Sequence, residues 1–297
     1  MFRTVSLITG APLQVLSLFE AEHAYGLQDS GNLVVATPYA QRLMRGIGME
    51  PANLVSFDYM RGSSLKTYSS IRRMMLNVTE ELEGGSPDVL LIGTPGLAGR
   101  SLFARTRPQQ TVILEDGTAT LKFLRRYEPK QNRSDLARGF MREHVLRYFG
   151  LTSSEIRGAD IFTPLGIETH PFGHVVRHDF PRLRAQGSFA NVDRDSVLLL
   201  GRYENPDHEL FLRADSMGLI AQGQSVLFKP HPAVSGPVPP RGTSIMDPVL
   251  SGLPVEFALL QMGYVPGTIA GFGSSALLTL RYLVPSDVHI VDLSDSR

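Results

Sequence analysis

The chain has 297 residues, 42% hydrophobic and 20% charged, a globular balance with material for two domains. Its 29 Lys and Arg offset 29 Asp and Glu, so there is no overall electrostatic case for a nucleic-acid partner. Cysteine is absent, which excludes disulfides, cysteine zinc sites and thiol catalysis and fits a reducing, cytoplasmic setting.

The opening "MFRTVSLITGAPLQVLSLF" has Arg3 followed by apolar residues, but Gly10, Pro12 and Gln14 interrupt the run and Glu20 and Glu22 follow. It reads as strand, turn and helix start rather than as a leader. No run reaches the ~18 apolar residues of a membrane span. The runs "VSLITG", "NLVVATP", "LVSFDY", "DVLLIGTP", "TVILEDG" and "DIFTPL" then read as strands, with helical patterns between most of them. The clearest helix is "SLKTYSSIRRMMLNVTEELEG". This alternation predicts a parallel sheet covered by helices. The basic stretch ending in "SDLARGFMREHVLRYFG" has apolar residues at helical spacing. Residues 134–149 are thus a candidate for peripheral contact with a membrane or an anionic glycan, though a solvated arginine face explains the same pattern.

From 166 to 194 the periodicity fades into Pro, His, Arg and Gly, which reads as a connection between domains of 1–180 and 181–297. His170, His174 and His178 repeat every four residues, but Pro171 and Gly173 oppose a helix, and no metal is expected. The alternation then restarts. "SVLLLGRY", "SVLFKPHP", "TIAGFG" and "DVHIVDL" read as strands. "PDHELFLRADSMGLIAQG", "LPVEFALLQMG" and "SSALLTLRYL" read as helices, the first two opened by Pro206 and Pro254. The expected fold class is α/β, with two tandem Rossmann-like domains facing across a cleft and ligands at the carboxyl ends of the strands.

Four groups stand at those ends. Glu115 and Asp116 close a strand before Gly117; alternation turns only one of them to the cleft, where a carboxylate serves as a general base. Lys229 and His231 sit in "FKPHP", a turn stiffened by Pro230 and Pro232 that suits a phosphate. "GFGSSALL" puts Gly273, Ser274 and Ser275 at a helix N-terminus, where free N–H groups attract phosphate, although serine N-caps are common for structural reasons alone. Glu256, early in the preceding helix, suits either two ribose hydroxyls or the helix dipole. There is no G-x-G-x-x-G or Walker motif, and "GSSAL" departs from the nucleophile elbow G-x-S-x-G.

These motifs resemble those of the bacterial sialyltransferases with the two-Rossmann (GT-B) fold. That group carries an acid–acid–glycine motif in its first domain and a His–Pro motif and a serine pair in its second. Here they stand as "EDG" at 115–117, "HP" at 231–232 and "SS" at 274–275. "GAPLQVLSLFEAE" also resembles the N-terminal segment of the lipooligosaccharide and polysialic-acid members. The resemblance runs from Gly10 to about Leu283 and rests on short motifs, "KPHP" with "GFGSSALL" being the most specific. It implies an inverting, metal-independent transferase, without a cofactor, taking sialic acid or a related sugar from a CMP-activated donor to a glycan acceptor. Glu115 or Asp116 would take the acceptor's proton. His231 would assist departure of CMP, with Lys229, Pro232, Gly273, Ser274 and Ser275 around the phosphate, Glu256 on the ribose and Gln14 as a substrate contact. The expected location is the cytoplasm, at the inner face of the membrane. The resemblance also leads one to expect a final helix crossing back to the first domain, and no sequence for one follows "VDLSDSR". A CDP-glycerol-type or other cytidine-nucleotide transferase, and a non-catalytic nucleotide- or glycan-binding protein, are the alternatives.

Overall fold

The computed structural model describes residues 2–27, 31–58, 64–116, 145–152, 156–167, 173–185, 189–201, 207–231, 242–247, 250 and 252–294. Gly117, His170, Pro232, residues 134–144 of the basic stretch and the side chain of Ser275 lie outside the described set. The chain divides into two compact units, Met1–His178 and Asp179–Arg297.

In the first unit, β1 (Thr4–Ile8) leads into α1 (Pro12–Ala24), β2 (Asn32–Ala36), α2 (Pro38–Gly46) and β3 (Asn53–Ser56). There follow α3 (Leu65–Glu81), β4 (Val89–Ile92), α4 (Leu97–Thr106), β5 (Gln110–Leu114), β6 (Asp160–Thr163) and β7 (Val175–Arg177). Among the described residues these strands form a parallel sheet in the order β3-β2-β1-β4-β5-β6-β7. Covering both faces of a parallel sheet demands continuously apolar strands, and β1 is buried at every position. Val5, Leu7, Leu90, Ile92, Ile113 and Ile161 pack on one face against Ile71, Met74 and Val78 of α3 and Leu102 of α4. Helix starts follow their local chemistry. Pro12 opens α1, and the Thr37 and Ser64 hydroxyls accept from the Ala40 and Thr67 amides to cap α2 and α3.

The stretch 166–194, read as a connection between domains, contains β7. Gly173 makes this possible, because a Cβ there would stand 1.9 Å from the Ala159 carbonyl oxygen. His174 and His178 flank β7, with the His178 ring stacked 4.2 Å from that of Phe162. Among the described residues no group of three or more His, Asp or Glu is placed to hold a metal ion.

The second unit contains α5 (Pro181–Ala185), β8 (Val192–Leu200), α6 (Asp207–Ser216), β9 (Ser225–Lys229) and β10 (Ser244–Ile245). It continues with α7 (Val255–Met262), β11 (Val265–Gly271), α8 (Ser275–Leu283) and β12 (His289–Asp292). Its parallel sheet runs β10-β9-β8-β11-β12 among the described residues, the same winding as β3-β2-β1-β4-β5. Val197, Leu199, Val226, Phe228 and Ala270 form its own core with Leu210 and Ala214 of α6. The two-residue strand β10 has no signature in the sequence. Among the described residues no helix is long and apolar enough to cross a membrane.

Candidate functional site

In each unit the strand order reverses at the first strand, between β1 and β4 and between β8 and β11. Such switch points are where sheets of this kind open a crevice at their carboxyl edge. The predicted site residues described by the structure fall on these two edges.

In the first unit Glu115 and Asp116 part company just beyond β5. Glu115 has no exposed surface. Its amide donates to the Phe162 carbonyl at 3.1 Å, and its carboxylate accepts from the Thr163 hydroxyl, whose oxygen accepts from the Leu165 amide at 3.0 Å. Glu115 therefore ties the end of β5 to the turn after β6. Asp116 is half-buried and accepts from the Thr94 hydroxyl at 2.6 Å. Alternation along the extended chain sends the two neighbouring acids to different surroundings.

Gln14, in the first turn of α1, is buried at the β1–α1 turn. Its Oε1 accepts from the Thr9 and Gly10 amides at 2.9 and 3.3 Å, and its Nε2 donates to Thr94 Oγ1 at 2.6 Å. Space for this side chain exists because Gly93, just past β4, has no Cβ; one there would lie 2.4 Å from Gln14 Cδ. Thr94 was not foreseen, and a threonine after a strand carries no local signal that would have found it.

In the second unit Lys229, the last residue of β9, and Gly271, the last of β11, are both in register with Leu200 at the end of β8. Lys229 is 3% exposed and Glu256, in the first turn of α7, 4%. Burial pushes the Lys229 ammonium down to about 8, against the upward pull of Glu256. Burial likewise pushes Glu256 up to about 7, opposed by a backbone hydrogen bond, by Lys229 and by the Thr279 hydroxyl. The two thus act on each other electrostatically inside the unit. His231, two residues beyond β9, is exposed. Burial of part of its ring and then the charge of Lys229 lower its proton affinity below that of an ordinary imidazole.

At the end of β11 the turn through Gly273, at φ 46°, leads to Ser274, whose hydroxyl caps α8 by accepting from the Ala276 amide at 3.2 Å. Ser275 opens α8. The Gly273 amide donates at 2.8 Å to Asp292 Oδ1, which also accepts from the Ser294 amide and hydroxyl at 2.9 and 2.6 Å. Burial would raise the Asp292 carboxyl, but the bonds from Ser294 and Gly273, with the field of Arg281, hold it below the usual range. Asp292 thus secures the glycine–serine turn. The Asp-x-Ser at the end of the last strand, an ordinary turn pattern, was its one sequence signal.

A scan of protein-family models finds no match, and no curated protein matches the chain either. Among solved structures it is similar to the UDP-GlcNAc 2-epimerase from Methanocaldococcus jannaschii, at 15% identity and a TM-score of 0.56, over 99% of this chain and 84% of that one. The UDP-GlcNAc 2-epimerase from Neisseria meningitidis bound to UDP-GlcNAc aligns over 99% of this chain and 82% of its own, at 11% identity and a TM-score of 0.51. CalG4, the calicheamicin glycosyltransferase, aligns over 99% and 87%, at 15% identity and a TM-score of 0.48. The epimerase likenesses establish the fold: an α/β chain of two tandem Rossmann-like units, GT-B-like in class.

Proposed function

We propose that the chain is a nucleotide-sugar-dependent glycosyltransferase, and that its donor is a CMP-activated sialic acid or a related sugar. The observation that carries this reading is the carboxyl edge of the second unit. There His231, the buried Lys229 charge and the Gly273–Ser274 turn at the start of α8 stand on the two strands flanking β8. A helix N-terminus and a cation behind a histidine suit a phosphate monoester. The chemistry is a single displacement. The acceptor hydroxyl oxygen bonds to the anomeric carbon as the carbon–oxygen bond to CMP breaks, which inverts the centre. The hydroxyl proton passes to a carboxylate of the first unit, and CMP leaves with the bonding pair on its phosphate. His231 donates a hydrogen bond to that phosphate, and the phosphate's charge offsets the loss of proton affinity that burial and Lys229 cause. Because the leaving group is a stabilised anion, fixed donors can replace a metal. Lys229 and Glu256 act from inside, Lys229 through its field; Gln14 acts through its hydrogen bonds rather than on substrate. Cytoplasmic work at the inner membrane face, through the basic stretch 134–149, belongs to the same proposal.

A second reading has an observation of its own. The likeness to UDP-GlcNAc 2-epimerases covers nearly the whole chain, which favours a uridine diphosphate sugar in the same place. Calorimetric titration with CMP, CDP, UDP and UDP-GlcNAc in EDTA separates the two. The cytidine reading expects micromolar CMP binding without metal. A His231→Ala variant should hold CMP within about tenfold yet lose roughly 100-fold or more in turnover of a CMP-sugar. Binding of UDP compounds alone selects the second reading, tight CDP binding favours a CDP-linked donor, and binding of none of them removes the nucleotide site altogether.

A further inference from the structure

A cavity of about 120 Å3 opens in the first unit between the chain leaving β3 and the side of α3. A single water needs only about 10–15 Å3 of such space, so the cavity has room for a larger guest. Buried Phe57 and Met74 give it an apolar lining. Ser70, Arg73 and Asn77 follow one another at helical spacing along α3, and Ser56 and Asp58 line the opposite wall. The Ser70 hydroxyl donates to the Asp58 carbonyl and so ties the strand exit to the helix.

The polar groups of this pocket complement one another. Gln41 Nε2 donates to the Ser56 hydroxyl at 2.9 Å and to the Ala36 carbonyl at 3.0 Å, which leaves the Ser56 proton to be donated. Among the described residues the Asp58 carboxylate, the Arg73 guanidinium and the Asn77 carboxamide have no hydrogen bond or ion pair, not even with each other. One acid and one base leave the lining without net charge, so any ion entering meets a like charge. A polyhydroxyl compound instead donates to Asp58, accepts from Arg73 and does either with Asn77. The apolar lining suits the C–H face of a sugar ring, a few polar groups over an apolar surface being the usual composition of a small-ligand pocket. In the sheet order β3 stands four strand spacings from β5, about 19 Å from the acids that follow it. A sugar in this pocket is therefore not the one that reacts there.

We propose that this pocket is a subsite for a neutral pyranose of the acceptor glycan, several sugars away from the residue that receives the transferred unit. Its role in the acceptor rests on the transferase reading given above; its binding of a sugar does not.

The test is a 1H–15N NMR titration of the full chain, without nucleotide, using the methyl glycosides of galactose, glucose and N-acetylglucosamine, with the methyl glycoside of sialic acid as the charged control. A single sugar is a small ligand, so a Kd of roughly 1–10 mM is expected and titration to about 50 mM reaches it. At least one neutral glycoside should give saturable shifts at the amides of Asp58, Ser70, Arg73 and Asn77. Arg73→Ala and Asn77→Ala, both exposed helix positions where alanine is tolerated, should each weaken that binding about fivefold or more. Arg72→Ala, exposed next to the pocket but not lining it, should leave it unchanged. Absence of saturable shifts with every neutral glycoside, or equal binding in the Arg73 and Asn77 variants, overturns the subsite. Tighter binding of the sialoside than of the neutral sugars overturns its neutral class. The calorimetric titration with CMP is separate. Sugar binding here without any nucleotide binding would leave the pocket standing and remove the transferase reading, and the reverse result would remove the pocket alone.

Discussion

At Lys229 and Glu256 two opposite charges are nearly sealed from solvent at the base of the second unit's edge. Taking both out of water costs more than their attraction returns unless the geometry is good, which is why burial dominates both shifts. The pH dependence follows from those directions. Glu256 rises from 4.5 to about 7, so the folded state holds an extra proton in that window and stability falls as pH rises through it. Lys229 falls from 10.5 to about 8, so the unfolded state holds the extra proton there and stability rises with pH. The second unit should therefore be least stable between about pH 7 and 8, by up to about 3 kcal/mol relative to the flanks. Urea midpoints from pH 5 to 10 measure this, and Lys229→Met with Glu256→Gln should flatten both slopes. Equal slopes in wild type and double variant would mean the pair does not titrate as its burial dictates.

Among elements, β7 depends on a contact that no local propensity encodes. Three residues pair with β6 only because Gly173 lets the chain pass the Ala159 carbonyl, after which the Ile161 amide reaches the His174 carbonyl at 2.8 Å. A flexible side chain could yield to an added methyl, but backbone cannot. Gly173→Ala should strip β7 from the sheet edge and destabilise the first unit by about 3 kcal/mol or more. Hydrogen exchange should show the Ile161 and His178 amides losing protection while those of β1 and β4 keep theirs. Full retention of protection at Ile161 would show that the edge tolerates the methyl.

For the whole molecule, two sheets with separate cores make a single unfolding transition the less natural outcome. Scanning calorimetry should resolve two. With the proposed nucleotide site in the second unit, CMP in EDTA should raise that unit's transition and leave the other in place. Binding at about 100 times Kd adds about 2.7 kcal/mol to the unit that holds the ligand. A CMP shift confined to the first unit's transition would move the donor site away from His231. Chain-wide likeness to epimerase structures also belongs to this scale, where it establishes the architecture.

Much of the architecture was legible in the chain because its signals are local. Apolar runs of strand length, prolines at helix starts and serine or threonine caps repeat from β1 to β12, and together they specify two wound α/β units. The sites were legible only as addresses. "EDG", "FKPHP" and "GFGSS" mark strand ends, and nothing in them separates Glu115 from Asp116 or tells that Lys229 faces Glu256. Those distinctions are made by residues far away in sequence, Thr163 for one acid and Thr94 for the other, and Asp292 for the glycine turn. The sequence by itself determined which chemical groups reach the edges of the sheets. Tertiary structure alone decided which are sealed and which are presented, because burial and hydrogen-bond partners come from chain segments that only folding brings together.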